Sequence, residues 1–314
     1  MKIPVIVICG PTASGKTDLA IAAAKHFGGE VISADSMQVY KEMDIGTAKP
    51  AKEEMQGIAH HMIDVADITQ NYSVSDYCSG AHTAAAEIVQ RGHIPIIAGG
   101  TGLYIDSLVN DLDFSKSTSC DEVRLRLLEY AEKKGSEALH RRLASLDPAA
   151  AAAIHHNNVK RVMRALEHIE ITGEKFSEYK LRAAGRESRY HPLWLFIDVE
   201  RQLLYERINK RVDIMMEKGL LDEAKKIYNK HLPRSLTALG GIGYKELFDC
   251  FDGLCSQSAA VDAIKQNSRR YAKRQLTWFR RNTALNRIPF GNGMTEAAFK
   301  IIDGRKKEYE QIQL

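Results

Sequence analysis

The chain has 314 residues, 44% hydrophobic and 27% charged, the proportions of an ordinary soluble globular protein with room for a main domain and one sizeable insertion or companion. A formal net charge of +4 and a pI near 8.6 are too small to argue nucleic-acid binding from the total, so the distribution of charge must carry any such argument. Five scattered cysteines without a C-x-x-C pair exclude a disulfide framework and a zinc site, and no apolar run approaches the ~20 residues that span a bilayer.

Met1-Lys2 leads straight into Ile3-Pro4-Val5-Ile6-Val7-Ile8-Cys9, so a first strand without a leader peptide, and a cytoplasmic location, are expected. Gly10-Pro11-Thr12-Ala13-Ser14-Gly15-Lys16-Thr17 follows, the complete G-x-x-x-x-G-K-[ST] pattern, and then the helix-forming Asp18-Leu19-Ala20-Ile21-Ala22-Ala23-Ala24. Strand, loop and helix in that order make a phosphate loop. Gly10 and Gly15 let successive N–H groups converge on one anion, and the helix adds its positive end. Lys16 would neutralise a terminal phosphate, and the Thr17 hydroxyl would hold a magnesium ion bridging phosphate oxygens. The loop alone leaves three fates open: cleavage of a phosphoanhydride, phosphoryl transfer, or capture of a diphosphate as leaving group.

The first helix ends at Gly28-Gly29, and Glu30-Val31-Ile32-Ser33-Ala34 reads as a second strand. It delivers Asp35-Ser36 to the carboxyl edge of the sheet, where open parallel sheets bind ligands, although Asp-Ser is also common turn chemistry. Residues 37–50 lack a period and read as an ordered loop over the site. Residues 60–65 suit a short strand, on which His60 and His61 would point to opposite faces and so could not easily share a metal. Ser73 and Asp76 have capping-box spacing and open a helix to Gln90.

Ile94-Pro95-Ile96-Ile97-Ala98 is a buried parallel strand ending in Gly99-Gly100-Thr101-Gly102-Leu103-Tyr104. Many phosphate-loop ATPases and GTPases end this strand with an acidic residue that supports magnesium and water. Small residues and Thr101 stand here instead, which suits close approach of a bulky ligand, or a glycine turn without contacts.

From about 114 to 190 strand-like runs vanish, and 121–134, 136–145, 148–154 and 158–172 read as helices of an insertion domain. Within it, Val162, Leu166 and Ile169 mark one helix face, with Lys160, Arg161, Arg164 and His168 away from it; a solvated face or a polyanion site explains such charges. The core resumes with a buried strand at 193–199 and a helix at 201–218 bearing Arg207 and Arg211. Further on, Arg269-Arg270-Tyr271-Ala272-Lys273-Arg274-Gln275-Leu276-Thr277-Trp278 interleaves bases with aromatics, as nucleic-acid contact or internal cation–π packing would. Residues 287–290 suit an edge strand and 295–314 a polar closing helix. The fold expected is α/β, with a parallel phosphate-loop core at 1–113 and 192–314 and an all-helical insertion at 114–191.

The phosphate loop, Asp35-Ser36-Met37-Gln38-Val39-Tyr40-Lys41 with Met43-Asp44-Ile45-Gly46-Thr47-Ala48-Lys49-Pro50, the Gly99 to Tyr104 run, Arg161-Val162-Met163-Arg164-Ala165-Leu166-Glu167 and Gly243-Tyr244-Lys245-Glu246 together resemble the tRNA dimethylallyltransferase family. The resemblance covers essentially the whole chain, in the short bacterial form without a C-terminal zinc finger. It implies transfer of a dimethylallyl group from its diphosphate to N6 of the adenosine beside the anticodon. Asp35 would remove the N6 proton and Thr101 position the adenine or developing charge. Lys16, Thr17 with magnesium, the loop amides and Arg207 or Arg211 would hold the departing diphosphate. Asp35 to Gln38 would read a base flipped out of its stack. Arg124, Lys160, Arg161, Val162, Met163, Arg164, Arg270 and Arg274 would contact the anticodon stem-loop. A monomer is expected, and a small-molecule kinase using ATP is the alternative.

Overall fold

The computed structural model describes residues 2–112, 120–184 and 187–305. Two compact units form: Met1–Val109 with Arg189–Leu314, and Asn110–Ser188.

The first unit is a six-stranded parallel sheet in the order β3-β2-β4-β1-β5-β6. Its strands are β1 (Ile3–Cys9), β2 (Gly29–Ala34), β3 (His60–His61), β4 (Ile94–Gly99), β5 (Tyr190–Asp198) and β6 (Asn286–Pro289). Helices α1 (Lys16–Phe27), α2 (Lys52–Met55), α3 (Val74–Gln90) and α4 (Gly102–Val109) accompany the first four strands. β1 lies between β4 and β5, each buried on both faces, which is why these runs read as continuously apolar. Chain order reverses across β1, so the carboxyl end of that strand is the crevice in which such sheets bind ligands.

Three prolines lie at the amino end of the sheet, each where its strand has a neighbour on one side only. Pro4 pairs with β5 below the start of β4, Pro95 with β2 below the start of β1 pairing, and Pro192 with β1 before β6 joins at Leu195. Pro192 therefore does not delay β5, which begins at Tyr190, three residues before the sequence suggests. The run at 60–65 yields only two strand residues, because Met62 and Asp64 take left-handed backbone conformations (φ 63° and 56°) that leave the ladder.

The second unit holds α5 (Asp121–Lys134), α6 (Ser136–Leu146), α7 (Pro148–Ala153), α8 (Val159–Thr172) and α9 (Phe176–Ala184). Gly173, with φ 70°, ends α8 in a left-handed cap, and α9 was not legible beyond it. Its core is Leu127, Leu139, Leu143, Ile154, Val162 and Leu166, all buried.

After β5 the first unit continues with α10 (Arg201–Glu217), α11 (Leu220–Tyr228), α12 (Tyr244–Phe251), the long α13 (Gln257–Phe279) and α14 (Met294–Asp303). The sequence reading carries α14 on to 314; residues 306–314 lie outside the described residues.

Candidate functional site

The β1–α1 junction builds an anion cradle. Gly10 abuts β5 so closely that a Cβ there would lie 3.2 Å from the Ile197 carbonyl, and Gly15 caps α1 with φ 83°. Ala13 also takes a left-handed conformation, φ 63°, and Ser14 is fully buried with a hydroxyl that finds no partner among the described residues. Lys16 Nζ donates to the Pro11 carbonyl at 2.6 Å. Burial, then the nearby Arg211, lowers its pKa to about 8. Arg207 donates to the Ala13 carbonyl at 2.8 Å and stacks over Phe290, so it braces the loop from α10. Arg211, four residues on, makes no hydrogen bond or ion pair to the described residues; burial lowers its pKa and Asp35 opposes that. Thr17 lines the same cavity with a hydroxyl that likewise has no partner among the described residues.

Asp35 stands at the end of β2, on the rim where the cradle opens. Its Oδ1 accepts from the Met37 and Gln38 amides at 2.9 and 3.4 Å, so the carboxylate caps its own turn and is oriented by it. Its other oxygen is not hydrogen-bonded to the described residues. Thr101, one residue past the glycine pair of β4, accepts from the Ser36 amide at 3.1 Å and so sits beside Asp35. Gln38 is turned inward: its oxygen takes the Ser33 hydroxyl at 2.9 Å and its nitrogen reaches the Thr47 and Ala48 carbonyls. It therefore braces the 37–50 loop with the amide that the family resemblance assigns to reading a base.

The backbone of Gly99 and Gly100 lines the larger cavity described below, while the space where their side chains would stand is filled by the protein itself. A Cβ at Gly99 would lie 2.2 Å from the Ala34 carbonyl, one at Gly100 2.1 Å from Gln275 Nε2, and one at Gly102 2.3 Å from the Trp278 ring. Two functional candidates were missed in the sequence. Gln275, buried on α13, accepts from the Thr12 amide at 2.8 Å and donates to the Gly100 carbonyl at 2.9 Å. Glu223 on α11 accepts from the Asp44, Ile45 and Gly46 amides at 3.0, 2.8 and 3.0 Å and from the Tyr244 hydroxyl at 2.6 Å. Neither residue stands in a motif; a lone Gln in a basic helix and a Glu in a polar one carry no signal by spacing.

Two cavities meet here. The larger, about 1120 Å³, is lined by the phosphate loop, Asp35, Gln38, Arg207 and Arg211. The smaller, about 290 Å³, runs past Met37, Gly46, Ile208, Val212, Tyr244 and Tyr271. Thr12, Asp35 and Arg211 border both. Burial, then Asp35, raises the Tyr271 pKa to about 12, so its hydroxyl keeps its proton. Arg274 lines the smaller cavity and stacks over Tyr271, while Arg270 is exposed on the same helix. The cation–π packing expected of the basic–aromatic run is thus present at Arg274 and Tyr271, and Arg270 stands exposed.

In the helical unit the residues assigned to RNA divide. Val162 is fully buried in the core, so its side chain packs and cannot touch a ligand, and Met163 packs against that core's edge. Buried Glu167 takes Arg124 at 3.0 Å and Arg164 at 3.3 Å, which neutralises much of their charge. Lys160 and Arg161 are exposed at the start of α8.

Among the described residues no cluster of three His, Cys, Asp or Glu could hold a metal. An ion in the cradle would take its ligands from phosphate oxygens, water and the Thr17 hydroxyl, a set that suits magnesium, which sheds water reluctantly and binds beside phosphates.

A family model described as IPP transferase matches residues 38–282. The tRNA dimethylallyltransferase of Bacillus subtilis (strain 168) is 49% identical over 279 residues, 89% of this chain and 88% of that protein. That of Shouchella clausii is 49% identical over 300 residues, 96% of this chain and 95% of that protein. A crystal structure of the full-length tRNA isopentenylpyrophosphate transferase from Bacillus halodurans superposes with a TM-score of 0.75 at 41% identity, covering 100% of this chain and 99% of that one. A eukaryotic dimethylallyltransferase described as acting on tRNA gives 0.83 at 30% identity, covering 98% of this chain and 80% of that one.

Proposed function

The chain belongs to the IPP transferase family, and on that premise we propose that it transfers a dimethylallyl group from dimethylallyl diphosphate to N6 of an adenosine in tRNA, releasing diphosphate. One observation carries the reading of the site: an anion cradle and an oriented carboxylate border the same pair of connected cavities, with Asp35 and Arg211 at their junction. The larger cavity suits the diphosphate, and the smaller, lined by aromatic and aliphatic side chains, suits a flipped adenine.

In the reaction the allylic C1–O bond breaks with its electron pair passing to the diphosphate, and N6 bonds to C1. Lys16, the amides of residues 13–17 and Arg211 stabilise the departing charge. Magnesium at Thr17 would add charge neutralisation at the phosphate oxygens. The adenine amine is a weak nucleophile because its lone pair is delocalised into the ring, so its proton must leave as the bond forms; the second oxygen of Asp35 takes it. Thr101 holds the Ser36 amide and thereby the turn that aims Asp35. Tyr271, protonated, offers a donor beside the base. Lys160, Arg161, Arg270 and Arg274 supply cations for RNA phosphates. Among the described residues no helix is long and apolar enough to cross a membrane.

The test is incubation with an anticodon stem-loop RNA and dimethylallyl diphosphate, followed by mass spectrometry of the nucleosides. One dimethylallyl unit should replace one hydrogen on adenosine, and Asp35→Ala should abolish the gain while diphosphate binding persists. Release of the γ-phosphate of ATP to a small molecule with no gain on RNA would establish the kinase alternative instead.

A further inference from the structure

We propose that Gln275 is a positioning residue for the transfer: its amide sets the gap between the diphosphate cradle and the wall that holds the acceptor. The inference rests on the function proposed above and goes beyond it by naming what aligns its two halves.

Gln275 is the buried polar side chain on the inward face of α13, otherwise formed by Ala260, Ile264, Ala272 and Phe279. An amide buried without partners costs a few kcal/mol, whereas an apolar residue at this position would need none. Both ends are engaged, and by different walls of the site. Oε1 takes the N–H of Thr12 in the phosphate loop, and Nε2 gives to the carbonyl of Gly100, next to Thr101. Thr101 in turn holds the Ser36 amide beside Asp35. Two hydrogen bonds of one planar group therefore connect the leaving-group side to the proton-accepting side, across the point where β1 and β4 end.

Gly100 is shaped to this amide. A Cβ there would sit 2.1 Å from Nε2, while its other neighbours leave ordinary room and its backbone needs no left-handed conformation. The Thr12 N–H, directed at Gln275, is also withdrawn from the cradle, so the anion falls to the amides beyond it. An error of about 1 Å between donor and acceptor costs on the order of 100-fold in rate, so a rigid spacer acts on turnover more than on either ligand's affinity.

The pairing of Gln275 with Gly100 gives a test that separates alignment from folding. Gly100→Ala should expel the Gln275 amide with that residue unchanged, and Gln275→Ala should remove it and make room for the new methyl. Each single variant should lower kcat by ~10- to 100-fold, and the double variant should be no worse than either, because both break the same bond pair. Inorganic pyrophosphate affinity and stem-loop affinity, measured on the same preparations, should stay close to those of the unaltered enzyme, while melting temperature falls by several degrees for the two backbone groups left unpaired but stays well above the assay temperature. Full turnover in Gln275→Ala overturns the proposal. So does a loss of turnover matched by an equal loss of pyrophosphate binding or by unfolding at the assay temperature, and so does additivity in the double variant. If the unaltered protein transfers no prenyl group to RNA, the functional reading itself fails, and that control separates the two failures.

Discussion

Lys16 titrates within reach of ordinary buffers, and its ligand affinity should follow. Burial and the positive charge of Arg211 bring its pKa from 10.5 to about 8. The ammonium form binds the anion, so affinity is complete below that value and falls as pH rises through it. From this pKa, about ten molecules in eleven carry the charge at pH 7 and about one in eleven at pH 9, so the affinity should weaken ~10-fold between them. An alkyl diphosphate is the proper probe, since its last proton leaves below this window, and a chelator removes metal effects. Calorimetric titration at half-unit steps gives the profile. Arg211→Gln removes the like charge, the second cause of the shift, so the break should move upward while affinity at pH 7 drops for want of a cation. Lys16→Met should flatten the curve. A wild-type affinity constant from pH 7 to 9, or a break that Arg211→Gln leaves in place, would refute the assignment of Lys16 as the cradle's partly buried cation.

Other consequences follow from the same contacts. Four donors converge on the Glu223 carboxylate, whose two oxygens have four lone-pair sites; Glu223→Gln would turn an NH2 toward donors, release the 44–46 loop and raise KM for stem-loop RNA about tenfold, with faster proteolysis there as the check. Arg91, His61 and His93 surround buried Glu30, and the Arg91 bond first of all lowers its pKa from 4.5 to about 2. Its folded pKa is depressed, so its contribution is complete above pH 4.5 and lost as pH falls through about 2. Denaturant unfolding should therefore show Glu30→Gln less stable by about 2 kcal/mol at pH 7, after screening at half-exposed Arg91 and His93, with the gap shrinking toward pH 2. Val162→Ala should destabilise the helical unit by about 2 kcal/mol and leave stem-loop affinity intact at temperatures where it is folded; weaker binding without loss of stability would reinstate Val162 as a contact.

What was legible in the sequence is what repeats or is locally constrained. The phosphate loop is a continuous motif whose glycines are required by local backbone geometry, and β1, β2 and β4 are apolar runs bounded by turns, so both were readable. Its place at a strand end put Asp35 on the ligand-binding rim but left turn capping equally open, and the role of base came only with the family resemblance. Gln275 and Glu223 were not readable, because their roles depend on backbone groups 263 and about 178 residues away, brought to them only by tertiary structure. Val162 shows the opposite failure: a family motif groups neighbours in sequence, but successive helix residues face different ways, and this one faces the core while Arg161 faces solvent.

The glycine run after β4 explains how a phosphate loop comes to serve alkyl transfer. An ATPase needs an acidic side chain at that strand end to manage magnesium and water. Here Gly99 is pressed against β2, Gly100 against Gln275 and Gly102 against Trp278, so at three of four positions a side chain must displace the protein's own packing. The fourth, Thr101, is neutral and committed to the Ser36 amide. The packing thus removes the group that would prepare a water for attack on phosphorus, and it does so with the same contacts that tie the loop to the acceptor wall. What remains beside the cradle is Asp35, at the end of the next strand and bordering the second cavity, where it can accept a proton from a nucleophile that attacks carbon. Restoring an acid at Thr101 would therefore not recover an ATPase: Thr101→Asp would place a second carboxylate beside Asp35, disfavour the charged form of the pair, and shift the pH dependence of transfer upward.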